Sequence, residues 1–369
     1  MIEVNDREHP PGQVIESSAT PGVPIAVEIA VRNGPISGIA TSPDGTRLMV
    51  TNYGHDSVSV IDTDNRRVVG TVADINEPFA IALGGRDAHR AYVSTVSTAY
   101  DSIAVIDMSA NTVVATHALA LCVSDLAVSP DGKYVYASRN GAGSADLAVV
   151  DATTGMIGAI ELANAPGTTT ECVRVDCDGG RLYVATNGPA GGQLVVMATS
   201  AQPGAHNGLR VIDAIEIGMP VRGVALSPNG AVAYAASCAP ELGAVIDVID
   251  TRTNKITATR KLAEIAGIVT GLTLSPDGDR AYLVSDDGIT VLCTLTHDVI
   301  GTIAVANQPS CVVESPDGKY LYIADYSGVV TVAPVASIVA LGIENSAHER
   351  EASTACVTPG LPRLEPALV

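Results

Sequence analysis

Short apolar runs separated by turn residues recur along most of the chain, and each run has the length of a β-strand. The first unit covers residues 37–72 and holds four such runs, joined by segments that contain Pro, Asp, Asn and Gly. Because glycine and proline end strands and set the backbone of turns, the four runs are separate elements. The unit therefore predicts four antiparallel strands, named a to d in chain order.

This unit repeats seven times. One position in strand b carries a large side chain in every copy, at intervals of 40 to 51 residues: Met49, Tyr92, Tyr136, Tyr183, Tyr234, Tyr282 and Tyr322. Repeats of this length are typical of architectures in which each unit buries its apolar face against the next. We predict an all-β fold, a seven-bladed β-propeller of four-stranded antiparallel blades, with these side chains in its core.

Two sets of aspartates recur with the repeat, and we interpret both as structural. The turn between strands a and b reads Ser42-Pro43-Asp44-Gly45 in the first copy, where Pro presets φ, Asp bonds nearby backbone and Gly takes a positive φ. Strand c ends in an aspartate in four copies: Asp62, Asp107, Asp151 and Asp250. An aspartate at that place caps the turn into strand d.

The two ends of the repeat array predict how the ring closes. Residues 29–35 match residues 303–309, which form strand d of blade 6 and the loop after it. Residues 24–32 therefore read as an isolated strand d, while blade 7 (residues 310–336) has no obvious one. We predict that the N-terminal strand completes blade 7 and removes the exposed edges. The alternative is that residues 337–343 supply the strand. On this prediction the propeller covers residues 24–336, between tails at 1–23 and 337–369.

The repeat resembles a known family. The order Ser-Pro-Asp-Gly, then Leu48-Met-Val-Thr-Asn52, then Val58-Ser-Val-Ile-Asp-Thr63 is similar to the YVTN family of β-propeller repeats. The resemblance covers roughly residues 24–336 and implies the propeller fold. It implies little about function, because the shared motif is a folding motif. WD40 repeats fit less well, since they use a Trp-Asp pair and this chain has no tryptophan.

Charge and hydropathy narrow the range of partners. The net charge is −19 and the pI about 4.6. An acidic chain repels nucleic acid and anionic lipid, so we expect neither as a partner. No apolar stretch is long enough to span a bilayer, and no apolar signal region is visible near the start. We expect a soluble protein, cytoplasmic as written, or exported if a signal sequence was trimmed.

The seven cysteines match no zinc spacing. Cys122 and Cys172 fall in corresponding loops of adjacent blades, which raises the hypothesis of a disulfide. Isolated buried thiols are the default interpretation.

A propeller places ligands at the top mouth of its central channel, which the b–c loops and the d–a loops surround. Ten ionisable side chains are predicted to reach that mouth: His55, Asp56, Glu77, Asp101, Asp125, Arg139, Glu171, Arg174, Arg222 and Asp286. Thr270 and Ser310 of the d–a loops are predicted to reach it too. Strand a lines the channel and sends Ala40, Ala127, Arg174, Ala225, Thr273 and Val313 inward.

Two constellations among these residues suggest chemistry. Arg174 needs anionic company, and Asp125 and Glu171 are the nearest candidates. In one interpretation, Arg174 forms a structural ion pair with one of these carboxylates. In the other, Arg174 and Arg222 together form a clamp for an anion or carboxylate.

The second constellation is acidic and runs around the first four blades: His55, Glu77, Asp101, Asp125 and Glu171. Propeller lactonases, which the chain distantly resembles, hold a divalent ion in such a ring, and the ion polarises a carbonyl and acidifies a water. Loop carboxylates that are only solvated are the alternative interpretation.

The sequence favours a binding or interaction scaffold that presents its top-face loops to a protein or small ligand. No nucleophile, base and orienter converge, so no catalytic residues are assigned. The alternative is a metal-assisted enzyme, lactonase- or lyase-like, with its site at the top mouth and one divalent metal ion as cofactor. A redox-linked propeller is a third option, but the haem-attachment motif and the repeated tryptophans of quinone propellers are missing.

Overall fold

The computed structural model describes residues 15–16, 26–85, 89–97, 100–120, 122–141, 144–163, 166–199, 208–239, 242–265 and 267–337. They form seven antiparallel sheets of four strands, one of which carries a fifth short strand. The innermost strands of neighbouring blades contact one another in order, and strand a of blade 7 contacts strand a of blade 1. The fold is a closed seven-bladed β-propeller, as predicted.

The strands follow the order a-b-c-d from the channel outwards. Strands a of blades 1 to 7 are Ile36–Thr41, Ile81–Leu83, Cys122–Val128, Thr169–Val175, Val221–Leu226, Val269–Leu274 and Pro309–Glu314. Strands b are Arg47–Asn52, Arg90–Thr95, Tyr134–Gly141, Arg181–Gly188, Val232–Ala239, Arg280–Ser285 and Tyr320–Asp325. Strands c are Ser57–Asp62, Ser102–Asp107, Ser144–Asp151, Gly191–Thr199, Gly243–Asp250, Gly288–Cys293 and Val329–Pro334. Strands d are Arg67–Val72, Thr112–Ala118, Ile157–Ala163, Leu209–Glu216, Lys255–Leu262, Val299–Ile303 and, in blade 7, Val27–Ala30.

Blade 7 takes its outer strand from the N-terminal part of the chain. Val27–Ala30 pairs antiparallel with Val329–Pro334, with Ile29 opposite Val330. The short strand Ile15–Glu16 pairs with its outer edge, within the segment predicted as a tail. The alternative closing strand at residues 337–343 lies outside the described residues except for Ser337.

The core lies between the faces of neighbouring blades. The repeated tyrosines and Met49 are all buried there, as predicted. Around them pack Val, Ile, Leu and Ala from strands b and c of adjacent blades. Because each tyrosine ring buries on the order of 150–250 Å² in a chain that is poor in aromatic residues, these rings are the main large fillers of the interior.

The recurring aspartates have the structural role that their repetition predicted. Asp44 accepts hydrogen bonds from the Ser42 hydroxyl and the Thr46 amide, and Gly45 takes a φ of 72°. At the end of strand c, Asp62 accepts the amide of Asn65. The Ser42 hydroxyl and the backbone amides hold the pKa of Asp44 below its usual range. Both aspartates stay ionised as turn caps.

Helical structure in the described residues is slight. One 3-10 turn, Tyr53–His55, joins strands b and c of blade 1. No helix in the described parts of the chain is long and apolar enough to cross a membrane.

Candidate functional site

The innermost strands enclose a central channel of about 930 Å³. Five of the six residues predicted to point inward line it: Ala127, Arg174, Ala225, Thr273 and Val313. Small side chains predominate because seven strands converge on one axis. At Gly38, for example, an added Cβ would lie 2.6 Å from the carbonyl oxygen of Phe79 in the next blade. The channel therefore has little room along its wall and its chemistry is concentrated near the end where strands a begin, here called the mouth.

A ring of irregular strand positions surrounds this mouth. In six of the seven blades the pairing of strands a and b shifts register by one residue near the start of strand a. The residue left unpaired by the shift, together with its counterpart in blade 2, lines the channel in every blade: Ser37, Phe79, Ser124, Glu171, Arg222, Thr270 and Ser310. A bulge of this kind re-aims a side chain and is common beside functional sites. We call these seven residues the mouth ring.

Aromatic side chains stand exposed at the same mouth. Phe79, the only phenylalanine of the chain, is 44% exposed, and Tyr326 after strand b of blade 7 is 47% exposed. Both line the channel. Exposed aromatic rings beside a concave polar surface are typical of ligand and partner sites.

Arg174 forms the ion pair that its position predicted. Its Nη1 contacts Asp125 Oδ2 and also donates to the Val173 carbonyl at 2.6 Å. Asp125 accepts the Val173 amide as well, at 3.1 Å. The pair joins blade 3 to blade 4 and keeps both charges satisfied inside the channel. Arg174 is thus occupied by protein groups, and a clamp built from both arginines is incomplete on this side.

Glu171 and Arg222 pair more loosely. Arg222 Nη1 lies 3.7 Å from Glu171 Oε1, longer than a hydrogen bond, and Glu171 Oε2 accepts Asn187 Nδ2 at 3.3 Å. Burial raises the pKa of Glu171, and the nearby Arg222 charge and the Asn187 amide offset this only in part. The ionised form of Glu171 is therefore less stable, relative to the protonated form, than that of an ordinary surface glutamate.

Two residues predicted at the mouth are instead built into the framework. Arg139 is buried and binds Asp146 with two hydrogen bonds, from Nε at 2.7 Å and from Nη2 at 2.8 Å. Asp101 is also buried and accepts the Val123 amide at 3.0 Å, which ties blade 2 to blade 3. Both predictions are corrected for the same reason: these side chains fold back onto the blades and meet partners there.

The other predicted residues lie on the rim. His55 and Asp56 are exposed in blade 1, and Asp56 accepts the Glu77 amide at 2.8 Å. Glu77 in turn accepts the Tyr53 hydroxyl at 3.2 Å. Asp286 is exposed in blade 6 and accepts Gln308 Nε2 at 2.6 Å. These contacts order the loops around the channel.

The proposed acidic metal ring does not come together. Asp101 caps blade 3, Asp125 is paired with Arg174, and Glu77 is paired with Tyr53. No group of three or more His, Cys, Asp or Glu side chains in the described residues is placed to hold a metal ion. These carboxylates bind separate partners. Asp101 and Asp125 do so across the junctions between neighbouring blades.

The cysteines are free thiols in the described part of the chain. Cys122 is exposed at the start of strand a of blade 3, whereas Cys172 is buried beside the channel. Burial raises the pKa of Cys172 to about 12, so it stays a neutral thiol. The disulfide hypothesis for this pair is wrong, because Cys122 corresponds to Thr169 in blade 4 and lies three positions away from the place of Cys172.

Three members of the mouth ring were not anticipated: Ser37, Ser124 and Phe79. Serine is too common to attract notice. Phe79 carried a usable signal, because it is unique in the chain and follows Pro78 just before a strand a.

Comparison with known proteins supports the fold. No family model matches the chain. The seven-bladed β-propeller protein Rv1057 of Mycobacterium tuberculosis is 56% identical, over 98% of this chain and 97% of its own length. A seven-bladed β-propeller protein of Mycolicibacterium smegmatis is 36% identical, over 79% of this chain and 76% of its own length.

Solved structures agree at the level of fold. A chain of hydrazine synthase from Kuenenia stuttgartiensis superposes with a TM-score of 0.71 at 22% identity, over 82% of this chain and 96% of that one. The Cps50 (Swd1) β-propeller domain of Myceliophteria thermophila gives 0.69 at 10% identity, over 84% and 99%. Because its sheets form a ring of seven blades and two seven-bladed propeller proteins are its sequence relatives, the chain belongs to the family of seven-bladed β-propeller proteins.

Proposed function

We propose that this protein is a binding propeller that takes a small ligand at the mouth of its central channel. The observation that carries the proposal is the mouth ring, in which six blades shift register at one level and turn a side chain into the channel. Irregular backbone at one level of a regular fold is a feature that stability alone does not require.

The chemistry of the mouth suits a small molecule. A volume of about 930 Å³ lies within the usual range for ligand pockets, roughly 300–1,000 Å³. Hydroxyl groups of Ser124, Thr270 and Ser310 supply polar contacts, and Phe79 and Tyr326 supply apolar surface. The wall is preformed by the blades, so binding requires little ordering.

A metal-assisted hydrolase receives less support, because four of the five residues suggested for it, Glu77, Asp101, Asp125 and Glu171, are engaged with separate partners. Membership of the YVTN repeat group also stays a proposal, which rests on the Ser-Pro-Asp-Gly and Val-x-Val-Ile-Asp-Thr motifs. Neither affects the binding function proposed for the mouth.

Native mass spectrometry of the untagged protein, purified gently and without chelator, tests this proposal. We expect a stoichiometric small-molecule adduct on the wild-type chain. Phe79→Ser should weaken binding about tenfold, the effect of losing one aromatic contact of about 1.4 kcal/mol, and so lower the fraction of chains that carry the adduct. The control Leu295→Ser changes a residue that is 88% exposed in a c–d turn, at the opposite end of the blades, and should leave the adduct unchanged.

A bare wild-type chain would contradict the proposal. So would an adduct that survives Phe79→Ser at full occupancy.

A further inference from the structure

Arg222 has fewer hydrogen-bond partners than three other arginines of strands a and b, Arg139, Arg174 and Arg280. The guanidinium of Arg174 contacts Asp125, and that of Arg139 binds Asp146 in a bidentate manner. Arg280 donates to both Asp277 and Glu314. The Nε of Arg222 is buried and has no hydrogen-bond partner among the residues that the structure describes. Its one charged contact, to Glu171, is 3.7 Å long.

A buried guanidinium donor without an acceptor is costly, so the fold does not supply all the partners that this guanidinium can bind. Nε of Arg260 is the other such arginine atom in the described residues, but the two terminal nitrogens of Arg260 pair with Glu264 and Asp298. Arg222 lies in the channel wall, 38% of its side chain is exposed, and it belongs to the mouth ring. Nε itself is shielded from solvent, so the donors that face the proposed ligand site are those of the terminal nitrogens, and Nη1 has only the 3.7 Å contact to Glu171 among the described residues.

Neighbouring residues supply further hydrogen-bond donors. Thr270 and Ser310, the next two members of the mouth ring, carry hydroxyls that donate to backbone carbonyls at 3.5 and 3.2 Å. Hydroxyls rotate readily and can redirect a proton to a ligand. Arg222 is followed by Gly223, where an added Cβ would lie 2.8 Å from the Leu272 amide nitrogen. Strands a of blades 5 and 6 thus approach closely and hold these side chains together.

We infer that the mouth recognises an oxyanion, the carboxylate or phosphate group of a small ligand, through the guanidinium of Arg222. The inference rests on the proposed binding function and specifies the chemistry of its ligand. The planar fork of an arginine matches the two oxygens of a carboxylate or phosphate. Asp125 and Arg174 neutralise each other, so the anion competes only with Glu171 for this charge.

Glu171 is suited to give way to such a ligand. Its pKa is raised by burial, with Arg222, Asn187 and Asp125 as the other groups that act on it. A carboxylate with a raised pKa takes up a proton more readily when a second anion approaches. Substitution by glutamine imitates the protonated form and removes the competing charge.

The test uses inorganic phosphate and acetate as probes, followed by ³¹P and ¹³C line widths during titration with the full-length protein at pH 7. We expect saturable binding to the wild type. Arg222→Gln should weaken it at least about tenfold and Glu171→Gln should strengthen it about tenfold, because each removes one charge at the site. The control Arg252→Gln, exposed in the c–d turn of blade 5, should leave it unchanged.

The probes distinguish the ligand class, since preference for acetate indicates a carboxylate and preference for phosphate indicates a phosphate. Equal weakening by Arg222→Gln and Arg252→Gln, or no binding to the wild type, would overturn the inference. An adduct that depends on Phe79 in native mass spectrometry would still uphold the binding function in that case.

Discussion

Deletion of residues 1–31 should prevent the propeller from folding stably. The deletion removes Val27, Ile29 and Val31, which are buried against blades 7 and 1. At about 1.5–3 kcal/mol for each buried side chain, the loss is comparable to the 5–15 kcal/mol that stabilises a typical domain. It also leaves the outer edge of Val329–Pro334 unpaired, whereas strand c of every other blade is paired with a strand d. Size-exclusion chromatography and circular dichroism should show aggregation or loss of the cooperative unfolding transition.

A point variant keeps this prediction testable if the truncated chain is insoluble. Ile29→Ala should lower the free energy of unfolding by about 2–5 kcal/mol, as for other buried isoleucines. Val69→Ala, in the corresponding strand d of blade 1 but half exposed, should cost less than about 0.5 kcal/mol. A truncated protein that unfolds at the same denaturant concentration as the full chain would show that another segment closes blade 7.

Glu314→Ala should be the most damaging single substitution of a charged residue. Its side chain is 1% exposed and links blades 6 and 7: it accepts the Tyr282 hydroxyl and Arg280 Nη2. Arg280 also donates from Nε to Tyr282 at 3.1 Å, so the three groups form one buried network. Removing the carboxylate leaves the Tyr282 hydroxyl without its acceptor and Arg280 with only the half-exposed Asp277 as a counter-ion, which costs about 3 kcal/mol. Urea unfolding followed by circular dichroism measures this loss.

Lys319→Ala is the matched control, because it breaks the Lys319–Asp317 pair of the same blade, where both side chains are largely exposed. Exposed pairs contribute about 0–1 kcal/mol. Glu314→Gln should fall between the two, since it keeps an acceptor for Tyr282 but not the charge opposite Arg280. If Glu314→Ala and Lys319→Ala lowered the free energy of unfolding equally, the network would not join the blades.

The fold was predictable because the sequence repeats the motif of one blade seven times. Each Ser-Pro-Asp-Gly turn and each buried tyrosine fixes the register of one blade, and agreement among copies outweighs the ambiguity of any one. The match between residues 29–35 and 303–309 identified a strand d without a blade, and Val27–Ala30 lies in that position.

The site was predictable only in part. The contact of Arg174 with Asp125 followed from topology, because strands a of adjacent blades lie side by side. The one-residue register shifts did not, since a bulge leaves no mark in an apolar pattern yet turns a side chain to a new direction. Ser37 and Ser124 were missed for this reason, whereas Phe79 lies ahead of the short strand a of blade 2. Arg139 and Asp101 were misplaced because a loop sequence does not show whether a side chain points to solvent or back to its blade.

Tryptophan fluorescence offers the most direct test of the mouth as the ligand site, because the natural chain contains no tryptophan. Phe79→Trp places a single reporter at the mouth, and Leu295→Trp places one at the opposite end of the blades. The probe is the small-molecule fraction released by heating purified wild-type protein. We predict a saturable change in the emission of Phe79→Trp and none in that of Leu295→Trp. No response at the mouth, or the same response at both ends, would contradict the account.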